Sequence, residues 1–153
     1  MPNFKDMKVL RSGAKSPEDV VPADQKISIR HCLSHTAGFS YGFIEPNSII
    51  DKAYADGGLS VISDGSVSLE DFCDRLSRLP LAYDPGSSWR YSVATDVYAR
   101  LVEVLSGKAF DEFLRENIFL PLGMCDTDFW VPPDKTDRFI TQYLSLIHIS
   151  EPT

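Results

Sequence analysis

Asp84-Pro85-Gly86-Ser87-Ser88-Trp89-Arg90-Tyr91-Ser92-Val93 contains a turn, an extended run and the start of a helix. Pro85 and Gly86 supply the backbone angles of the turn. Trp89-Arg90-Tyr91 then reads as briefly extended. From Val93 an apolar stripe of Val93, Val97, Leu101, Val104 and Leu105 repeats at helical spacing until Gly107 stops it. Such junctions between extended chain and helix are places where catalytic side chains are presented. Tyr91 stands at this one. A phenol with a reference pKa of about 10 serves as a base only beside a cation or donors that stabilise its phenolate. Otherwise it is a half-buried aromatic ring with a satisfied hydroxyl. The local residues leave both readings open.

Working outward, Ser68-Leu69-Glu70-Asp71 is a cap followed by first-turn acids. Leu69, Phe72, Leu76 and Leu79 share one face of the helix it opens, and Pro80 ends it. Further upstream, Ser28 caps a short helix over Ile29–His35, with Gly38 as its stop. Residues 39–65 read as a long excursion with one helical turn near Ile49–Tyr54. Residues 1–10 read as extended, and residues 11–25, which hold two prolines and no period, as a surface loop. Downstream, Phe110, Phe113, Leu114 and Ile118 form a third stripe, stopped by Pro121 and Gly123. Phe129-Trp130-Val131 suits a strand before Pro132-Pro133. Every stripe reads as core packing.

Composition narrows the function classes. At 153 residues and 43% hydrophobic, the chain is the size of one domain or a piece of a larger one. A net charge of −7 argues against binding nucleic-acid phosphates, which needs clustered Lys and Arg. No apolar run approaches the roughly 20 residues of a membrane helix. The opening Met1-Pro2-Asn3-Phe4-Lys5-Asp6 has no apolar region of the signal-peptide kind. Cys32, Cys73 and Cys125 are widely spaced and odd in number, so at least one thiol is expected free.

Two other constellations invite chemistry. Ser12-Gly13-Ala14-Lys15 fits S-x-x-K, the spacing of a serine nucleophile and its lysine base. That spacing works on one helical face, where burial helps the lysine lose its proton. Here Gly13 interrupts the motif, Ser16-Pro17-Glu18-Asp19 follows, and no apolar helix can form. The pair is therefore read as surface loop. His31 and His35 stand at i and i+4, the spacing of a zinc pair. The metalloprotease pattern needs Glu after the first His, but Cys32 is there, and no spacing points to a third ligand. The competing reading, backbone hydrogen bonds around a tight helix end, suits His35-Thr36-Ala37-Gly38 better. Neither a metal nor another cofactor is expected.

Taken together, four ordered blocks resemble the β-lactamase-related serine hydrolases, a superfamily of class C β-lactamases, DD-peptidases and family VIII carboxylesterases. His31-Cys32-Leu33-Ser34-His35-Thr36-Ala37-Gly38-Phe39 resembles its H-L-L-x-H-T-S-G-[LF] segment, and Asp84–Ser92 its P-G-x-x-[WF]-x-Y-S segment. Ser106-Gly107-Lys108, with Phe113-Leu114 and the run Ile118–Met124, resembles its S-G-K and I-F-x-P-L-G-M elements. Asp126-Thr127-Asp128-Phe129 continues the likeness.

The resemblance implies an α/β (α+β) fold, of which this chain is expected to be the mainly helical middle without most of the sheet lobe. It implies an acyl-serine mechanism in which Tyr91 moves the proton, with Trp89, Ser92 and Val93 at the substrate. Val93 stands where the family's Y-x-N motif has Asn, which tilts the expected substrate from β-lactam toward carboxylic ester. The family's helical S-x-x-K lies upstream of the region that Phe4–Leu10 resembles, so an inactive fragment is expected. A non-catalytic relative of the same fold is the alternative.

Leu146-Ile147-His148-Ile149-Ser150-Glu151-Pro152-Thr153 fits nothing in that family and resembles translated adapter sequence, so a foreign tail is expected from about Ser145. Deleting residues 145–153 should leave the urea midpoint unchanged. A loss above about 1 kcal/mol would show that these residues belong to the fold.

Overall fold

The computed structural model describes residues 1–59 and 67–140. The last part of the 39–65 excursion and the tail from Ser145 lie outside the described residues. The chain divides into two compact units, Met1–Phe110 and Asp111–Thr153.

In the first unit β1 (Lys8–Leu10) pairs antiparallel with β2 (Val20–Pro22), placing Val9 opposite Val21. This corrects the reading of residues 11–25 as loop throughout. Val20 and Val21 favour the pleated conformation, so only residues 11–19 remain as the connection. Arg11 closes it, its amide 2.9 Å from the Asp19 carbonyl and its Nε 2.7 Å from the Asp19 carboxylate. On the other edge of β1, Leu10 N donates to Leu81 O and Leu81 N to Lys8 O, both at 2.8 Å. Ala82 N then donates to Gly38 O at 2.7 Å, carrying the backbone ladder toward the segment after α1. Gly38 has φ +87°, and a Cβ there would stand 2.4 Å from the Tyr83 carbonyl oxygen. Only glycine fits.

Four helices complete this unit. α1 (Ile29–Leu33) starts at the Ser28 cap, as expected, but ends short of His35. Ser34 Oγ turns back to Arg30 O at 2.8 Å, and His35 adopts φ +54°, which no helix can include. α2 (Ile49–Asp56) is longer than the single turn expected, because the Ser48 hydroxyl accepts from Asp51 N and starts a true helix. α3 (Leu69–Leu76) is capped by Ser68 and stops before Leu79. α4 (Ala94–Ser106) packs on α1 and α3 and ends at Gly107 with φ +70°.

The core gathers Val9, Phe39, Tyr54, Leu76, Leu81 and Val93. Of the α4 stripe, Val93 and Val97 are buried, but Val104 is 48% and Leu105 76% exposed. Val104 lines a surface cavity with Glu70, Cys73 and Asp74 of α3, and Leu105 faces outward. Arg100 pairs with Glu70 of α3 (2.7 Å) and with Glu103 (3.0 Å), tying the two helices at their edge.

α5 (Phe110–Leu114), whose first residue closes the first unit, passes directly into a π turn over Arg115–Phe119 in the second, and Gly123 at φ +66° follows. The expected strand at Phe129-Trp130-Val131 is absent. These residues are bends and irregular chain, because Asp128 Oδ1 accepts from Phe129 N (2.8 Å) in a local turn and Pro132 leads into a 3-10 helix, Pro133–Arg138. Asp126 gathers Arg138 in a two-pronged pair at 3.0 Å and Lys135 at 2.7 Å. Arg138 first, then Lys135, holds its carboxyl well below the usual carboxylate range.

Leu76 is fully buried, so Leu76→Ala should cost about 2–5 kcal/mol. Leu105→Ala on the exposed end of α4 should change stability by less than ~0.5 kcal/mol. Urea midpoints of the two variants compare them directly.

Candidate active site

The site is built where the chain from Gly86 to Val93 runs alongside residues 35–40. The turn before it is held by Asp84, whose Oδ1 accepts from Asp24 N (2.7 Å) and whose carbonyl accepts from the Ser87 amide and hydroxyl. Gly86 N then donates to Thr36 O (2.7 Å), Arg90 N to His35 O (3.0 Å) and Val93 N to Ser40 O (3.3 Å). Three backbone bonds thus place Tyr91 beside the residues that follow α1.

Arg90 adds a side-chain anchor beneath them. Its Nε donates to Ser40 Oγ (2.7 Å), one terminal nitrogen to Asp51 Oδ1 (3.0 Å) and the other to Glu45 Oε2 (3.4 Å). Asp51 is fully buried. It accepts a further bond from the Ser40 hydroxyl, and its second oxygen accepts from Glu45 N (2.6 Å). The carboxylate is therefore paired and hydrogen-bonded on both oxygens, the condition for burying a charge at tolerable cost.

Above this anchor lies a row of rings. Tyr91 is 52% exposed, with the His35 ring 5.0 Å and the Tyr41 ring 5.3 Å from its own. Tyr41 also meets Phe43 at 5.1 Å. Trp89 is exposed and touches His35 edge-on at 6.3 Å. Ser92 is buried, its Oγ 3.3 Å from His35 Nδ1. Val93 is buried too, and its side chain belongs to the core cluster under α4. Of the four residues singled out from the sequence, Tyr91 and Trp89 thus face outward, while Ser92 and Val93 lie beneath them.

The remaining candidates separate. His31 and His35 do not share a helical face, since α1 ends between them. His31 Nδ1 accepts from Ser28 N (3.3 Å) in a capping box, and His35 turns to Ser92. Ser12 and Lys15 sit exposed in the β1–β2 connection, with Gly13 at φ +75°.

Sequence reasoning missed Arg90, Asp51, Ser40 and Tyr41. Asp51 reads as an ordinary first-turn acid behind the Ser48 cap, and no local pattern shows that it turns inward. Burial pushes the Tyr41 phenol up to about 12, and the neighbouring Tyr91 and Asp96 push the same way. Tyr83, which donates to His35 O at 3.4 Å, is raised by burial against the opposing effect of Arg90. Burial also raises Asp96, in the first turn of α4. The arrangement presents the half-exposed Tyr91 phenol beside the rings of His35 and Tyr41.

The beta-lactamase family model matches residues 13–145. The chain belongs to that family, the β-lactamase-like serine hydrolases and acyltransferases. It is 33% identical over 118 residues to esterase EstB of Burkholderia gladioli, covering 76% of this chain and 29% of that protein. It is 32% identical over 133 residues to the ML-236A carboxylate methylbutanoyltransferase mlcH of Penicillium citrinum, covering 84% and 29%. Among solved structures, EstCE1, a hydrolase with promiscuous acyltransferase activity, aligns with TM-score 0.69 and 30% identity over 97% of this chain and 35% of its own. The chain thus spans about a third or less of the length of these relatives. The described residues hold a two-stranded sheet and are otherwise helix and loop, a partial β-lactamase-like fold.

Tyr41 gives a prediction in pH. Its phenol is held protonated in the fold and titrates nearer 10 when unfolded. Its stabilising contribution is complete below pH 10 and is lost as pH rises toward 12. Urea midpoints between pH 9 and 11.5 should fall more steeply for the unmodified chain than for Tyr41→Phe.

Proposed function

We propose that the chain is the central helical part of a serine hydrolase or acyltransferase that acts on carboxylic esters through an acyl-serine, with Tyr91 as its proton carrier. The observation that carries this reading is the outward Tyr91 phenol, tethered on both sides by backbone bonds to residues 35 and 40. In the scheme a serine attacks the ester carbonyl while a lysine helps remove its proton, and Tyr91 delivers a proton to the departing alkoxide. The acyl group then passes to water in an esterase, or to a second alcohol in an acyltransferase. β-Lactams and peptide amides are lesser candidates, since Val93 replaces the family's amide-holding Asn. Trp89 offers an apolar face to the substrate, while Ser92 and Val93 support the site from below. Nothing in this scheme needs a metal, a nucleic acid or a membrane.

The test places residues 13–144 into the corresponding stretch of EstB. Tyr91→Phe in that graft should lower kcat for p-nitrophenyl butyrate by ~10²–10⁴-fold, the range of a positioned acid–base group. KM should barely move, because the ring is kept. His31→Ala and His35→Ala should cost stability with no response to added zinc. Near-full kcat in Tyr91→Phe, together with loss of activity to a chelator, would reject the proposal. The isolated chain should hydrolyse neither p-nitrophenyl butyrate nor nitrocefin above background. Turnover that Ser12→Ala abolishes would instead give Ser12 and Lys15 the catalytic role.

A further inference from the structure

We propose that Arg90, Ser40 and Asp51 form a clamp that positions Tyr91, with Arg90 acting on the phenol through the backbone rather than by touching substrate. The inference rests on the reading of Tyr91 as the proton carrier.

Three observations converge on it. Arg90 is the residue next to Tyr91, and its guanidinium is engaged beneath the site by Ser40, Asp51 and Glu45 rather than pointing into it. Asp51 has no exposure, is approached by donors on both oxygens, and sits in the first turn of α2, so the fork is fixed to a helix. Ser40 closes the ring: its hydroxyl receives Arg90 Nε while its carbonyl receives Val93 N. The extended run that carries Tyr91 is therefore held before the tyrosine by residue 90 and after it by residue 93, both at Ser40.

The fork geometry matters. A guanidinium donates along fixed directions from separate nitrogens and can hold Ser40 and Asp51 together, whereas a lysine ammonium is a point donor on a flexible stem. Arg90→Lys keeps the charge opposite Asp51 but loosens the direction. A proton carrier misplaced by about 1 Å costs up to ~10²-fold in rate.

In the EstB graft, Arg90→Lys should lower kcat about 10–10²-fold with KM within about twofold. Ser40→Ala, which removes the Nε acceptor but keeps the Asp51 pair and both backbone bonds, should give a smaller loss in the same direction. Rates are taken per active site, by burst titration, so that a smaller folded fraction does not count. The deciding measurement is the double variant. In a Tyr91→Phe background, Arg90→Lys should have almost no further effect on kcat, because the group it positions is gone. Equal loss in both backgrounds, or a fall only in active-site yield, would make Arg90 a purely structural residue and overturn the clamp.

A second measurement uses the 153-residue chain itself, labelled with ¹³C at the tyrosine ζ carbon and assigned with Tyr91→Phe. Arg90→Lys should shift or broaden the Tyr91 signal and leave that of Tyr98 in place. An unmoved Tyr91 signal would overturn the clamp. If Tyr91→Phe leaves kcat intact, the reading of Tyr91 fails, and this signal alone decides whether the clamp exists.

Discussion

The buried pair between Asp51 and Arg90 is the constraint on which the site depends. It joins the first turn of α2 to the run before α4, two segments 39 residues apart in sequence. Removing Arg90 alone would leave the Asp51 charge uncompensated inside the fold, a penalty of about 3–5 kcal/mol, whereas removing Asp51 would leave Arg90 its pair with Glu45. Exchanging both for apolar residues could be close to neutral for stability, because desolvation offsets much of the attraction between buried charges. The contribution of the pair is direction: a hydrophobic contact would hold the same two segments together but allow them to slide, whereas a forked guanidinium between Ser40 and a fixed carboxylate does not.

Around this anchor the backbone forms one continuous ladder, from β2 to β1, to Leu81 and Ala82, and across to Gly38. Gly38 is the point where the approach is closest, and its missing side chain lets the segment after α1 lie directly against residues 81–83. Since His35, Ser40 and Tyr41 all belong to that segment, core packing and site geometry are decided by the same few bonds. The row of rings from Phe43 through Tyr41, Tyr91 and His35 to Trp89 lies on this frame.

The two histidines illustrate how tertiary structure can divide what a motif joins. At i and i+4 they would share a face in any helix long enough to hold both. Ser34 bonds back to Arg30 and His35 swings to positive φ, so one histidine caps the start of α1 while the other turns to the site.

Much of this was legible in the sequence, for local reasons. Ser28, Ser48 and Ser68 precede helices because a hydroxyl satisfies amides that the first turn leaves free, and for Ser28 and Ser68 that signal needed no partner elsewhere. Pro85-Gly86 marked the turn, Gly107 the end of α4, and the ordered motifs marked the family. What stayed hidden was non-local. Val20 and Val21 became a strand because β1 was available to pair with them. Val104 and Leu105 are exposed although they continue the stripe of Val93 and Val97, because what covers a stripe is set by segments elsewhere in the chain. Phe129–Val131 had the composition of a strand, but a local turn at Asp128 took its place. Asp51 carried no signal in the sequence and became the buried partner of Arg90, because whether a charge faces water or an arginine 39 residues away is set only when the segments come together.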